Sequence, residues 1–473
     1  MGAPGNRLIG ITGYSAYVPR SRLARERISQ AWGTAAGGGE IAVAQYDEDA
    51  LTMAADAGLA CLRDGAAVPD AIYFASTSAP YREKQIASLV ATVCDLPRSC
   101  QSADFSGSVR AGVSAVAAAY NAVAAGSRSE VLVCAADARL AAPESELEGV
   151  LGDGAAAVRI GREHVIAEIL DIASVSEEFT HVWRTDEQRF VQAFAGRFSN
   201  VYGYVRDVAE TIDTLLRRQR LEPKQISRLA VHSPDARASL ELAKRLGLDP
   251  KQQMGPNVTA EIGSAGCADP LLALAAVLDE AAAGDLILVA GYGEGADAIL
   301  LRATDELPQR RAATPWKQWL AARQPLPSYE KYLKLRRVID VDASGEAINN
   351  VLERKELEQN VRLHGSRCRE CGMVQYPVAQ VCIGCKRRGT LASHKLAKRG
   401  TIFTFTIDHL IANAELPLPM AVIDLDGGGR LYLQVTDFAE SEVEIGQPVA
   451  LTFRRLHEGG GNHNYYWKAR PLR

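Results

Sequence analysis

From residue 7 to about 305, short unbroken apolar runs alternate with longer stretches dominated by alanine. The runs AIYFAST (71–77), EVLVCAAD (130–137), RLAVHS (228–233) and DLILVAGYG (285–293) are bounded by Gly, Asp or Pro, the pattern of strands buried on both faces. Around them, EDALTMAADAGLACLRDG, VSAVAAAYNAVAAG, DVAETIDTLLRRQR and PLLALAAVLDEAAAG predict helices that end at Gly or at basic residues. This alternation predicts an α/β fold with helices packed on sheets. The order also repeats. Each half offers a helix, a strand, a loop of small polar residues, an alanine-rich helix and a strand closing on a Gly/Asp turn, the turns being GDGAAAVRIG (152–161) and GYGEGADAILLRA (291–303). The expected halves are 1–165 and 166–305.

Beyond 305 the pattern changes twice. Residues 306–360 are charged and lose the alternation, which predicts a linker with one or two amphipathic helices and a solvated basic face. Residues 361–390 hold Cys368 and Cys371 in one C-x-x-C pair and Cys382 and Cys385 in another, with ten residues between. Two such knuckles set four thiolates tetrahedrally, as structural zinc requires, and leave no open position for water. Residues 391–473 are short β runs with Gly, Asp and Pro turns, which predict a small barrel of OB type. In that barrel Tyr465, Tyr466 and Trp467 beside Lys468 and Arg470 imitate a nucleic-acid platform, the second reading for this module taken alone.

Composition narrows the class. At 473 residues the chain has room for two or three domains and a large core. A net charge of −4 gives no general case for nucleic-acid binding, which needs a concentrated basic face. The start, MGAPGNRLIGITGY, has neither a basic-then-apolar signal pattern nor the Ser or Thr at position six that myristoylation needs. Asp279 and Glu280 interrupt the longest apolar candidate before it reaches membrane-spanning length. The expectation is a cytoplasmic protein with no membrane partner. Cys61, Cys94, Cys100, Cys134 and Cys267 are scattered, as buried apolar filler is in a reducing compartment.

Candidate chemistry gathers at ADFSGSVRAG (103–112), where a strand-like lead-in (99–102) feeds the small-residue helix. A strand end at the mouth of a buried helix is a common seat for a nucleophile in acyl transfer. Here it offers Asp104, Ser106, Ser108 and Arg110 and no cysteine. Asp104 is open to two readings, an N-terminal cap or a catalytic carboxylate. Tyr292 and Glu294 in GYGEGAD, and Cys267 and Asp269 in SAGCADP, lie in loops next to predicted strands or helices. The Gly-rich run at 291 has the wrong spacing for a dinucleotide fingerprint.

Several stretches, in order over some 330 residues, carry a resemblance: DEDALTMAADAGLACL, STSAPYREKQIASLVA, GDGAAAVRIG, VWRTDEQRF, VHSPD, IGSAGCADPLLALAAVLDEAAAGDLILVAGYG and LPSYEKYLKLRR. Residues 7–340 resemble the 3-hydroxy-3-methylglutaryl-CoA synthase branch of the thiolase superfamily, in its archaeal form. Residues 364–473 resemble the zinc-ribbon and OB-fold proteins that accompany acyl-CoA thiolases and synthases. The resemblance implies a five-layer αβαβα thiolase fold, a homodimer, a coenzyme A thioester as substrate, and a barrel serving acyl-CoA or a neighbouring acyl-CoA enzyme. Position by position, it puts Val109 where the family has its acyl-accepting cysteine, or Ser108 with a one-residue slip. It puts Thr77 at the family's glutamate, Ser264 at its asparagine and His232 at its histidine. Valine cannot be acylated, and serine needs an adjacent base. The leading expectation is therefore carbon–carbon bond chemistry beside a thioester without an acyl-cysteine, of aldol or retro-aldol type. The alternatives are an acyltransferase using a serine or Cys267, and a non-catalytic acyl-CoA-binding scaffold.

Overall fold

A computed structural model describes residues 8–34, 37–62, 67–194, 196–339, 350–410, 416–438, 443–459 and 461–472. It contains two compact units, one of residues 1–45 and 49–338, the other of residues 46–48 and 339–473.

The first unit is built on a nine-stranded sheet made of two similar halves. In one half Gly10–Tyr17, Gly154–Gly161, Val131–Asp137, Ala71–Ala75 and Gln101–Phe105 lie side by side in that order. In the other, Ala167–Ser176, Gly295–Ala303, Leu286–Tyr292 and Arg228–Val231 do so, with a parallel bridge from Leu229 to Met254 in the fifth place. Both halves are antiparallel over their first three strands and parallel beyond. They are joined at Gly10–Glu168 and Ile11–Ala167.

Helices Ala111–Ala124 and Asp269–Glu280 touch each other and strands of both halves, so they form a central layer. Ala50–Cys61 packs on the outside of the first half and Arg206–Gln219 on the outside of the second. The result is five layers, helix–sheet–helix–sheet–helix. Alanine and valine dominate Ala111–Ala124 because a helix covered by sheets on two sides has no room for long side chains. The closest approach is at Gly112, where a Cβ would stand 2.2 Å from the Cys267 carbonyl oxygen.

Three expectations about elements are revised. GDGAAAVRIG and GYGEGADAILLRA are not turns along their length: Gly154–Gly161 and Gly295–Ala303 are strands, and all but Arg302 are buried. Small apolar residues in an unbroken run suit a strand covered on both faces. The lead-in strand is Gln101–Phe105, displaced toward the helix from the expected 99–102. The stretch expected as a linker divides. Trp316–Ala321 and Tyr329–Leu335 are helices of the first unit, with Trp316 Nε1 on Glu261 (2.8 Å) and Tyr329 Oη on Glu148 (2.5 Å). Residues 340–349 of that linker lie outside the described residues.

In the second unit His364–Cys368, Val374–Gln375 and Leu391–Lys395 form a three-stranded sheet. Five further strands follow in the order Arg430–Gln434, Leu418–Leu425, Arg399–Asp408, Pro448–Gly459 and Asn462–Pro471, and a parallel bridge from Val435 to Ala469 closes them into a barrel. This is OB connectivity. Its core takes the residues that imitated a nucleic-acid platform. Trp467 is fully buried with its ring edge-on to Phe453, and Tyr465 stacks on Phe453. Tyr466 Oη meets Tyr376 Oη at 2.6 Å, and Lys468 is buried with Nζ 2.8 Å from Asp47.

Candidate active site

Strand ends and helix starts of the central layers meet on one edge of the first unit, bringing Thr77, Ser108 and Val109 together there, while His232, Ser264, Cys267, Asp104 and Tyr292 are not among the residues that line the cavity at that edge. A cavity of about 490 Å³ opens there, walled by Ser76, Thr77, Ser108, Val109, Arg139, His181 and Glu294 among others. None of its lining side chains is a cysteine.

Val109 and Ser108 stand in that wall at the start of Ala111–Ala124. Ser108 Oγ donates to the Gly293 carbonyl at 3.2 Å, and no histidine or carboxylate among the described residues is bonded to it, so no described hydrogen bond activates it. Thr77 is turned to Asp137, whose fully buried carboxylate also takes Ser76 Oγ (3.0 Å), Ser78 Oγ (2.7 Å) and the Cys267 N–H (2.9 Å). The Cys267 thiol is fully buried, donates to the Ala75 carbonyl at 3.2 Å, and is held well above its ordinary pKa by burial and the Asp137 charge. A thiol in that state supplies almost no thiolate.

His232 follows the strand Arg228–Val231, and Asp269 opens the central helix Asp269–Glu280. Their side chains meet at 2.6 Å through Nδ1. Asp269 is itself fully buried and accepts Ser264 Oγ at 2.8 Å and the Ala265 N–H at 2.7 Å. A carboxylate at Nδ1 can accept only from a protonated Nδ1, and in the neutral ring that tautomer leaves the lone pair on Nε2. Ser264 Oγ in turn accepts from Arg139 Nη2 at 2.8 Å. A continuous chain, His232–Asp269–Ser264–Arg139, thus ends on the cavity wall. The backbone of Arg139 is fixed from behind by Arg336, which bonds both the Arg139 carbonyl and Asp153. Gly266 makes the crossing possible. Its φ is 58°, and a Cβ there would stand 2.2 Å from Asp137 Oδ2 and 2.9 Å from Arg139 Nε.

Asp104 and Tyr292 are placed differently from the rest. The Asp104 carboxylate accepts the N–H groups of Ile86 (2.7 Å) and Ala87 (2.8 Å), so it caps the neighbouring helix Ala87–Val93 and not the helix that follows it. Tyr292 is buried with its hydroxyl packed over Gly203 and its ring 4.6 Å from His181. Burial, with Asp207 and Glu294 nearby, pushes its phenol far above the ordinary range.

Reasoning from sequence missed Arg139 and His181. His181 lines the cavity, and burial first, then repulsion from His232 and Arg139, pushes its pKa down to about 4, so the ring is neutral near pH 7. The available signal for Arg139 was its place two residues past the strand end in CAADAR, on the edge where the other strand ends converge. Nothing in VSEEFTHVWR distinguishes His181.

In the second unit Cys368, Cys371, Cys382 and Cys385 bring their Sγ atoms within 4.8 Å of one another. Cys368–Cys385 and Cys371–Cys382 are 3.7 and 3.5 Å apart, and all four thiols are free.

Comparison with known proteins places both units. Residues 216–302 match the C-terminal domain of 3-oxoacyl-(acyl-carrier-protein) synthase III, and residues 393–454 match the ChsH2 C-terminal OB-fold domain. The hydroxymethylglutaryl-CoA synthase of Archaeoglobus fulgidus is 31% identical over 345 residues, covering 70% of this chain and 99% of that protein. The chain belongs to the hydroxymethylglutaryl-CoA synthase family. The Methanosarcina mazei enzyme of the same name is likewise 31% identical, covering 69% of this chain and 97% of its own length. A solved hydroxymethylglutaryl-CoA synthase complexed with CoA superposes with a TM-score of 0.63 at 16% identity, over 72% of this chain and 94% of that one, which shows the thiolase fold. Within this family the chain carries an OB-fold module on the same polypeptide, and no cysteine lines the described cavity.

Proposed function

We propose that this protein makes or breaks a carbon–carbon bond next to a CoA thioester without forming an acyl-enzyme. The observation that carries the proposal is the cavity itself, with Val109 at the mouth of the central helix and no thiol in its wall. In the cleavage direction, His232 Nε2 takes the proton of a β-hydroxyl and the C–O bond becomes C=O. The Cα–Cβ electron pair passes to the thioester enolate, and the imidazolium returns its proton to Cα. The thioester bond stays intact, and the products are a carbonyl compound and a shorter acyl-CoA. Asp269 holds Nδ1–H and stabilises the imidazolium. The choice of a CoA thioester as substrate is supported by the similarity to a hydroxymethylglutaryl-CoA synthase that was solved complexed with CoA.

The test is incubation with a panel of 3-hydroxyacyl-CoA thioesters, read by product analysis and by intact protein mass. The expected result is a shorter acyl-CoA with no added mass on the protein, and a loss of about 10²–10⁴ in rate for His232→Ala. A stable acyl adduct after incubation with acetyl-CoA would sink the non-covalent reading in favour of a serine or Cys267. An unchanged rate in His232→Ala would remove the histidine from the chemistry, and no product from any thioester of the panel would favour the scaffold reading.

The proposal extends to zinc in the second unit, a homodimer, and a barrel that serves acyl-CoA or a second acyl-CoA enzyme. Zinc at 2.3 Å from each of four thiolates sets them about 3.8 Å apart, which the thiol separations of 3.5 and 3.7 Å fit. Four protein ligands make such a site structural.

A further inference from the structure

Arg139 is a cation in an unusual position. It is 5% exposed yet lines the cavity, and it forms no ion pair with any described residue. Only Nη2 has a protein partner, the neutral Ser264 hydroxyl. Nε is buried without a partner, and Nη1 bonds to no described residue. The two carboxylates nearby are already engaged: Asp137 by the Ser76 and Ser78 hydroxyls, the Thr77 N–H and hydroxyl, and the Cys267 N–H; Asp269 by His232, Ser264 and Ala265. A buried guanidinium with unused donors at a cavity wall is costly unless the cavity's ligand brings negative charge to it. The neutral His181 beside it adds no competing cation.

We propose that the Arg139 guanidinium is a catalytic residue that receives the negatively charged thioester oxygen of a CoA enolate. This rests on the non-covalent reading above and deepens it. An enolate needs its charge held at oxygen while the carbon is reprotonated, and fixed donors in a site of low dielectric do that without reorganisation. Arg139 is rigid for the purpose, with its backbone tied by Arg336 and its side chain by Ser264. The same Ser264–Asp269 relay ties it to His232, so the oxyanion site and the proton carrier share one hydrogen-bond chain.

The test uses CoA thioethers, which cannot acylate any residue. S-carboxymethyl-CoA sets a negative oxygen close to the CoA sulfur, and S-isobutyl-CoA is its neutral isostere. Calorimetry should show wild-type protein preferring the carboxymethyl compound by about 10- to 100-fold, the range of a charge-assisted hydrogen bond. Arg139→Gln should lose that preference while binding S-isobutyl-CoA as wild type does, which also reports that the variant is folded. Arg139→Lys should keep part of it. In D₂O, exchange of the acetyl-CoA α-protons should fall about 10²- to 10³-fold in Arg139→Gln. An undiminished preference in Arg139→Gln, no preference in wild type, or no proton exchange by wild type would each overturn the assignment. So would an Arg139-dependent preference seen with glutaryl-CoA and absent with S-carboxymethyl-CoA, which would place the guanidinium on a distal acyl carboxylate. Acyl mass on the wild-type protein would count against the non-covalent reading alone, because the thioether preference is read without acylation.

Discussion

At the level of single residues, the candidate site is a set of unequal protonation states held by burial. Cys267 and Tyr292 are kept neutral, and His232 is tied to a buried carboxylate. His181 gives the sharpest prediction. Its pKa near 4 in the folded protein lies below the ordinary 6.5, so between these values the unfolded chain binds more protons than the folded one. Stability therefore falls as pH drops from about 6.5 to about 4 and is fully present above that window. The contribution is on the order of 2 kcal/mol after allowance for partial solvent access. Chemical denaturation of wild type and His181→Phe across that range should show a shallower pH slope in the variant, and the His181 ring should titrate near 4 by NMR. Alkylation provides a second check. Cys267 should resist iodoacetamide at pH 8 in the folded protein and react once unfolded, read by peptide mass.

Among the elements, side chains from one segment complete the ends of another. Ala87–Val93 is too short to stand alone, and two of its N-terminal N–H groups are satisfied by Asp104 from an adjacent strand. Asp104→Ala should cost about 1 kcal/mol, within the range for a lost cap, read as a lower denaturation midpoint. The rate of the His232-dependent reaction should stay unchanged, which separates the cap from a catalytic carboxylate. The central helix Ala111–Ala124 meets a different demand. Its small residues and Gly112 let the loop at Cys267 close against it, which brings Asp137 and Asp269 to the same edge.

For the whole molecule, the metal proposal belongs to the second unit. Elemental analysis should find about one zinc per chain, held by Cys368, Cys371, Cys382 and Cys385. Cys371→Ser or a strong chelator should release it and lower the unfolding midpoint of that unit, because structural zinc contributes its binding energy to folding. The His181 titration in the first unit should not move. Among the described residues no helix is long and apolar enough to cross a membrane.

Patterns with a short period were legible in the sequence. The alternation of apolar runs and alanine-rich stretches marked the main strands and central helices to within a few residues, and the two C-x-x-C pairs marked the thiol cluster. Val109 and His232 were legible through the family pattern. Two long small-residue strands were misread because Gly at their ends also signals a turn, and only burial on both faces separates the two. The partners of the site were hidden for a different reason. Asp269 reaches His232 across 37 residues, and Arg139 reaches Ser264 across 125. Hydrogen bonds of that span have no local signature, and the residues become a chain only when strand ends from both halves are folded onto one edge.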